Sequence, residues 1–276
     1  EERFVKPYLA RYGPELLDFV SVHWYATNEH AVWELPLYRT RGGIVCMDDR
    51  ESLTYLMETA PKYADWCRSL RRLLDDPAVN PSGKRIGIVF TEADVNANSP
   101  YGRNPQNAQW PAYDPAADCY VNTNWFGGVW WGSVLAGMAA SGCLDIACKF
   151  STRQYYGLIE NAPAGGFYRQ PVWFAWKLLQ EAGGLEPGAP MLATDVRGPT
   201  DDAAAHVGGR DTPWVEAYAI GRADGLRVLL VNRSLEPRPV SLRVLGLPAN
   251  ARGRVATRYL FSEDRVARFI GRRPGS

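Results

Sequence analysis

The sequence predicts a mixed α/β chain, the C-terminal portion of a (β/α)8 TIM barrel followed by an antiparallel β-sandwich domain. Three observations lead there. Up to residue 185, helical and buried-strand patterns alternate, which is the order of βα units. That stretch holds only three such strands, whereas a closed eight-fold barrel needs about 250 residues. Beyond Gly184 the pattern changes to short strands at regular spacing with turns between them, as in a sandwich. The expected division is therefore 1–185 for the barrel part and 186–276 for the accessory sandwich. The chain opens Glu1-Glu2-Arg3-Phe4 with no Met, which reads as a start in mid-domain. The five preceding βα units are expected upstream.

The elements follow in order. Residues 3–12 carry apolar side chains at helical spacing and stop at Gly13-Pro14. Residues 17–25 (LDFVSVHWY) are β-branched and aromatic, a buried strand. Residues 50–75 keep Leu53, Leu56, Met57, Ala60, Ala64, Leu70 and Leu73 on one helical face. Residues 85–91 (RIGIVFT) form a second buried strand, closed by Glu92. The Pro-, Asn- and Gly-rich stretch 94–120 is a long loop, and long loops in compact domains are usually functional. Helical spacing returns at 123–141, a third strand at 144–151, and a final helix at 171–182 with Pro171 at its start and Gly183-Gly184 at its end. Short strands are expected at 190–196, 214–221, 226–232, 238–245, 254–261 and 265–270.

Composition excludes several classes. The chain has 276 residues, 46% hydrophobic and 22% charged, enough apolar material for a core. A net charge of +1 offers no field for nucleic acid or an anionic membrane. No run is apolar for the 18 or so residues that a membrane span needs. The five Cys (Cys46, Cys67, Cys119, Cys143, Cys148) are odd in number and irregular in spacing, with no CxxC, so they suggest neither a zinc site nor a disulfide framework. The three His show no metal-ligand spacing, and no cofactor is called for. Ten Trp and fourteen Tyr, many beside polar residues, suit either a core or faces that stack on sugar rings.

Glu92 is the sharpest chemical signal. It stands at the C-terminal end of a buried strand, where barrel enzymes place catalytic groups and a carboxylate has little structural work. His23, Trp24 and Tyr25 close the first strand on the same rim. A His and a Tyr beside a nucleophilic carboxylate can hydrogen-bond to it and keep it ionised, and Trp24 could floor a sugar subsite. Asn122, Asn124 and Trp125 lie near that rim, while Trp130 and Trp131 read as core. The third strand end offers Phe150, Ser151, Arg153, Gln154 and Tyr155. The expected substrate-binding set is His23, Trp24, Tyr25, Asn124, Trp125, Arg153 and Tyr155. The Asn232-Arg233-Ser234 sequon would be a glycan site only in a eukaryotic secretory route.

The run Asp18 to Tyr25, the strand end Thr91-Glu92, and Tyr156-Gly157-Leu158-Ile159 with Pro171 opening a last helix together resemble the C-terminal half of clan A glycoside hydrolases, most nearly family 39. The resemblance covers roughly residues 3–185, and the following sandwich agrees with that family's accessory domain. It implies that the His-x-Tyr strand is the sixth of the barrel, that the Thr-Glu strand is the seventh, and that Glu92 is the nucleophile of a retaining glycosidase. The family's acid/base is a Glu following an Asn at the end of the fourth strand, and no such strand precedes residue 1. Ala93-Asp94-Val95-Asn96 departs from the family's aromatic segment, which leaves the sugar open. Within the chain, Glu29, Asp48, Asp49, Asp94 and Glu160 are the alternative acid candidates. An oligo- or polysaccharide is the implied partner, and such substrates favour a secreted or periplasmic location over the cytoplasm. The alternative is a non-catalytic carbohydrate-binding protein that kept the aromatic rim.

Overall fold

A computed structural model describes residues 2–26, 50–94, 125–152, 157–161, 166–206, 210–223 and 225–246. Helix α1 (Glu2–Tyr12) passes through a 3-10 turn (Pro14–Leu16) into strand β1 (Phe19–Tyr25). Helix α2 (Arg50–Asp75), strand β2 (Gly87–Asp94), helix α3 (Trp125–Ser141) and strand β3 (Ile146–Lys149) follow. The three strands form one parallel sheet in the order β1-β2-β3. A parallel pair needs a crossover connection, and here the crossovers carry α2 and α3.

Those helices cover one face of the sheet. Ile88, Phe90 and Ala93 of β2, with Trp24 of β1, join Leu56, Met57, Ala60, Tyr63, Cys67, Leu70, Leu73 and Leu74 of α2 in a single core. The side chains of α3 complete it. Trp130 and Trp131 are fully buried, as the sequence suggested, and the Trp130 indole donates to Thr59 Oγ1 at 3.0 Å. Helix α3 has no polar stripe because it is wrapped on several sides, by α2, by α4 and by the later antiparallel sheet. Its small residues permit this. A Cβ on Gly137 would sit 3.2 Å from the Tyr218 hydroxyl and 3.6 Å from the Ala64 Cβ. The Cys67 thiol lies in the same core, and burial pushes it up to about 12, so it acts as an inert filler.

Among the described residues, no helix covers the other sheet face. Phe19 and Ile146 are each 53% exposed on it, and Ser21, His23 and Thr91 lie alongside. At the N-terminal ends of the strands, ion pairs clip the sheet together. Lys84 reaches Asp18 at 2.9 Å, and Arg85 reaches Asp145 at 2.8 Å. Asp145 also accepts the Ile88 N–H at 2.9 Å.

After β3 comes a short antiparallel hairpin absent from the expected elements, β4 (Ile159–Asn161) with β5 (Phe167–Arg169). Helix α4 (Pro171–Lys177) then continues as a π-helical turn (Leu178–Ala182) to Gly183. Strand β6 (Met191–Leu192), the single-turn helix α5 (Ala203–His206), and strands β7 (Val215–Arg222) and β8 (Gly225–Asn232) complete the described elements. The last three strands make an antiparallel sheet, with β7 and β8 joined by a tight turn at the expected place. Gly225 has φ 147°, which a side chain would oppose.

Two expectations are corrected. The first strand of this region shrinks from 190–196 to two residues. The stretch 238–245 is described and is not a strand: Val240, Leu242 and Leu245 are exposed. Alternating apolar residues make a strand only where a neighbouring backbone accepts the ladder, and the expected partners at 254–261 and 265–270 lie outside the described residues. Asn232 of the sequon is tied into the turn after β8, donating to the Glu236 carbonyl at 2.8 Å and accepting from the Ser234 hydroxyl at 2.7 Å.

The antiparallel sheet docks on α2 and α3 through buried charge. The Arg233 and Asp201 side chains are both fully buried and meet at 2.8 Å. Arg233 also lies 3.1 Å from Glu216 and donates to the Met57 carbonyl of α2 at 2.8 Å. Glu216 in turn accepts from Ser133 of α3 at 2.6 Å. Burial pushes the Glu216 carboxyl up, and the Arg233 charge beside it pulls the other way. Nearby, Glu58 of α2 accepts from His206 at 3.0 Å. Burial also raises the Glu58 carboxyl, opposed by the His206 charge.

Two outcomes are expected. Arg233→Met strands Asp201 and Glu216 as buried carboxylates, and removing one partner of such a cluster costs about 3–5 kcal/mol, read as a fall in the urea midpoint. Asp145→Asn should weaken the fold at neutral pH but not in acid. Partial burial pushes the Asp145 carboxyl up, but the Arg85 and Ile88 hydrogen bonds and the nearby guanidinium charges outweigh it, so it titrates below its ordinary 3.8. A depressed carboxyl stabilises fully above 3.8 and loses that contribution as pH falls through the lowered value. Wild type and variant should therefore begin to converge in denaturation midpoints below pH 3.8 and meet once pH is under the lowered value, and a gap unchanged by acid would show that charge is not the cause.

Candidate active site

Strand β1 presents Ser21, His23 and Tyr25 to the open side of the sheet, because alternate residues of a strand share a face. Val20, Val22 and Trp24 point the other way, against the helices. Strand β2 departs from this rule. Val22 pairs with Phe90, but His23 pairs with Glu92. On the other side, Phe90 pairs with Ala147 and Ala93 with Lys149. Both neighbours thus skip one residue of β2 between Phe90 and Ala93, which places a β-bulge at Thr91-Glu92. Contrary to expectation, the strand does not close at Glu92 but runs on through the bulge to Asp94. Bulges concentrate at barrel rims and beside active sites, where they re-aim side chains.

The bulge brings Thr91 and Glu92 to the same side as the β1 residues. The Tyr25 hydroxyl donates to Glu92 Oε2 at 2.5 Å. His23 Nδ1 lies 3.4 Å from the same oxygen. His23 Nε2 is 2.7 Å from Thr91 Oγ1, which is 2.5 Å from Ser21 Oγ. The His23 and Glu92 side chains are 51% and 33% exposed, so the cluster is reachable from the open face. Phe150, at the end of β3, meets Tyr25 edge-on with ring centroids 5.9 Å apart. Ser151 beside it has φ 69°, a left-handed backbone that non-glycine residues rarely adopt and that clusters at functional sites.

Below the rim lies a second charged group. Lys149 of β3 pairs with Asp94, and both side chains are buried. The Trp131 indole donates to Asp94 Oδ1 at 3.2 Å, and the Lys149 ammonium stands 5.4 Å from the centre of the Trp131 ring. Burial pushes the Lys149 amine down, against the pull of the Asp94 charge. The group ties β2, β3 and α3 together just past the bulge.

Of the expected site residues, Glu92, His23 and Tyr25 come together. Trp24 does not join them. It is 5% exposed and packs on Tyr63 and Trp66 of α2, with ring centroids 4.0 and 5.5 Å away, so it has no face for a sugar. The cause is strand parity: Trp24 follows His23 and must point to the opposite face. Trp125 is the first residue of α3, and its side chain lies outside what is described; so do Asn124, Arg153 and Tyr155. Among the acid candidates, Asp94 is held by Lys149 and Trp131. Glu160 lies in β4, and Glu29, Asp48 and Asp49 lie outside the described residues. Ser21 and Thr91 were missed, although the period-two row Ser21-x-His23-x-Tyr25 was a readable signal for the first. Among the described residues, no helix is long and apolar enough to cross a membrane.

No protein-family profile matches the chain, and no curated protein does. Solved structures do. The chain is similar to AbfB, a family 51 α-L-arabinofuranosidase from Bifidobacterium longum, with a TM-score of 0.58 and 18% identity, over 84% of this chain and 42% of that one. An α-L-arabinofuranosidase from Thermotoga maritima in complex with arabinose aligns over 82% of this chain and 45% of its own, at 13% identity and a TM-score of 0.43. The likeness to the first is one of fold: this chain shares the α/β fold of part of that enzyme and spans less than half its length. That relative belongs to family 51, not to family 39, towards which the motifs point.

The buried pair under the rim predicts a specific cost. Lys149→Met leaves Asp94 buried without its cation and is expected to destabilise by about 3–5 kcal/mol, measured by urea denaturation. Adding Asp94→Asn should recover part of the loss; an unaltered midpoint in the single variant would show that the pair does not hold the rim.

Proposed function

We propose that the chain is the C-terminal part of a retaining glycoside hydrolase with Glu92 as its nucleophile. One observation carries the reading: a one-third-exposed Glu near the C-terminal end of a parallel strand accepts a Tyr25 hydroxyl and faces His23, on the open side of the sheet. The parallel sheet is read as part of a (β/α)8 barrel whose remaining βα units, with the general acid/base, precede residue 1. Two facts support that extension. Parallel sheets are normally buried on both faces, whereas Phe19 and Ile146 stand exposed here. The similar solved enzyme is more than twice as long as the part this chain matches. The boundary near residue 186 divides this part from an accessory sandwich to which β6, β7 and β8 contribute. The motif order keeps family 39 as the finer reading.

In this reading the Tyr25 hydroxyl is bonded to Glu92 Oε2 and His23 Nδ1 stands 3.4 Å from the same oxygen, so Oε1 is the attacking oxygen. It displaces the leaving group at the anomeric carbon and forms a glycosyl ester. A second carboxyl about 5–5.5 Å away first protonates the leaving oxygen and then deprotonates the water that hydrolyses the ester. Asp94 does not serve as that acid, because its carboxylate is bound to a buried ammonium.

The experiment uses the full-length protein and a panel of dinitrophenyl glycosides, with pentosides, including α-L-arabinofuranoside, tried first. A dinitrophenolate leaves without acid assistance, so Glu92→Gln should abolish turnover while the fold persists. Full activity in that variant would remove Glu92 from the mechanism. Saccharide binding without turnover in the wild type would instead mark a carbohydrate-binding descendant of a glycosidase.

A further inference from the structure

We infer that Ser21 and Thr91 are positioning residues that set the tautomer of His23, turning its Nδ1–H toward Glu92. The inference rests on the nucleophile reading and names part of the machinery behind it.

The argument is one of donors and acceptors. Three contacts run in series: Ser21 Oγ to Thr91 Oγ1 at 2.5 Å, Thr91 Oγ1 to His23 Nε2 at 2.7 Å, and His23 Nδ1 to Glu92 Oε2 at 3.4 Å. A neutral imidazole has one N–H and one lone pair, and an ionised carboxylate only accepts. The nitrogen facing Glu92 must therefore carry the hydrogen, which leaves Nε2 as the acceptor. Thr91 then donates its only O–H to Nε2, and its oxygen accepts the O–H of Ser21. Every hydroxyl hydrogen is used once and every step points toward the carboxylate. The reverse direction would set the Nδ1 lone pair against the Glu92 oxygen. Which ring nitrogen carries the proton is decided by the hydrogen bond made at the other.

The backbone supplies a second, independent observation. In a regular pleat Thr91 and Glu92 would point to opposite faces. The register slip in β2 puts both on the side of Ser21 and His23. Thr91 has the parity of Val89 and faces that side in any case; the slip is what brings Glu92 beside it, against the same imidazole.

The test is made on the full-length protein with 15N-labelled histidine, at alkaline pH where the ring is neutral. The His23 imidazole signals are assigned as those missing from His23→Gln. The wild type should show His23 as the Nδ1–H tautomer. Thr91→Val keeps the shape and removes the donor; it should release the ring toward Nε2–H and lower kcat about tenfold, the worth of one hydrogen bond, with KM nearly unchanged. Thr91→Ser should restore both. An Nε2–H tautomer in the wild type, an unmoved tautomer in Thr91→Val, or failure of Thr91→Ser to rescue would each overturn the proposal. The wild-type measurement does not depend on Thr91→Val, so the idea stays exposed even if that variant does not fold. The two readings separate cleanly. The expected tautomer with a fully active Glu92→Gln sinks the hydrolase mechanism alone, whereas an Nε2–H ring with an inactive Glu92→Gln sinks this proposal alone.

Discussion

The slip of one residue in β2, between Phe90 and Ala93, is the constraint on which the rest of the site depends. Before it, Ile88 and Phe90 feed the core under α2. After it, Ala93 returns to that core opposite Trp24. Between them Thr91 and Glu92 are both left on the open side. A strand without the slip would turn Glu92 toward the core and Ala93 out, and it could not show two consecutive polar side chains to the same partners. The hydrogen bonds from Tyr25 and the contacts of His23 to both Thr91 and Glu92 follow from that one displacement.

A slipped strand has to be anchored beyond the irregularity, and the anchor here is charged. Asp94 and Lys149 are removed from water together, with the Trp131 indole satisfying a further carboxylate oxygen. Such a pair contributes little net stability, since desolvation consumes most of the Coulomb attraction, yet breaking it leaves a buried charge. Its consequence is therefore positional: it holds the ends of β2 and β3 in one register against α3. The same logic recurs at the other end of the core. Arg233, Asp201 and Glu216 join the antiparallel sheet to α2 and α3 through a cluster that admits few alternative dockings. Helix α3 makes both arrangements possible. Gly137 allows close approach, and two fully buried Trp fill the space between the layers.

The open sheet face links architecture to function. Among the described residues helices cover one side of the parallel sheet, and the other exposes Phe19 and Ile146 beside the Ser21–His23–Tyr25 row. In the larger solved enzyme that shares this fold, the matched part is less than half of the chain. That face is apolar toward the N-terminal ends of the strands and polar toward their C-terminal ends, the division on which the proposed barrel reading rests.

Much of this was legible in the sequence because it depends on local pattern. Helices α2, α3 and α4, strands β1 and β2 and the β7–β8 hairpin follow from periodicity and from Pro and Gly punctuation. Glu92 stood out because a carboxylate ending an apolar run has few other reasons to be there. What the sequence could not decide depends on register and on partners distant in the chain. Trp24 shares a motif with His23 and Tyr25, yet parity sends it into the core. Residues 238–245 alternate as a strand should, but a strand exists only where another backbone takes its hydrogen bonds. Asp94 reads as a loop carboxylate until Lys149, 55 residues away, is brought beside it. The bulge at Thr91 has no signature in composition or period, because it is defined only against the two strands that flank it. The sequence by itself determined which residues could be inside and which carboxylate follows the apolar run of a strand. Tertiary structure alone decided which of them face one another, because facing is a property of pairs of strands and not of either strand.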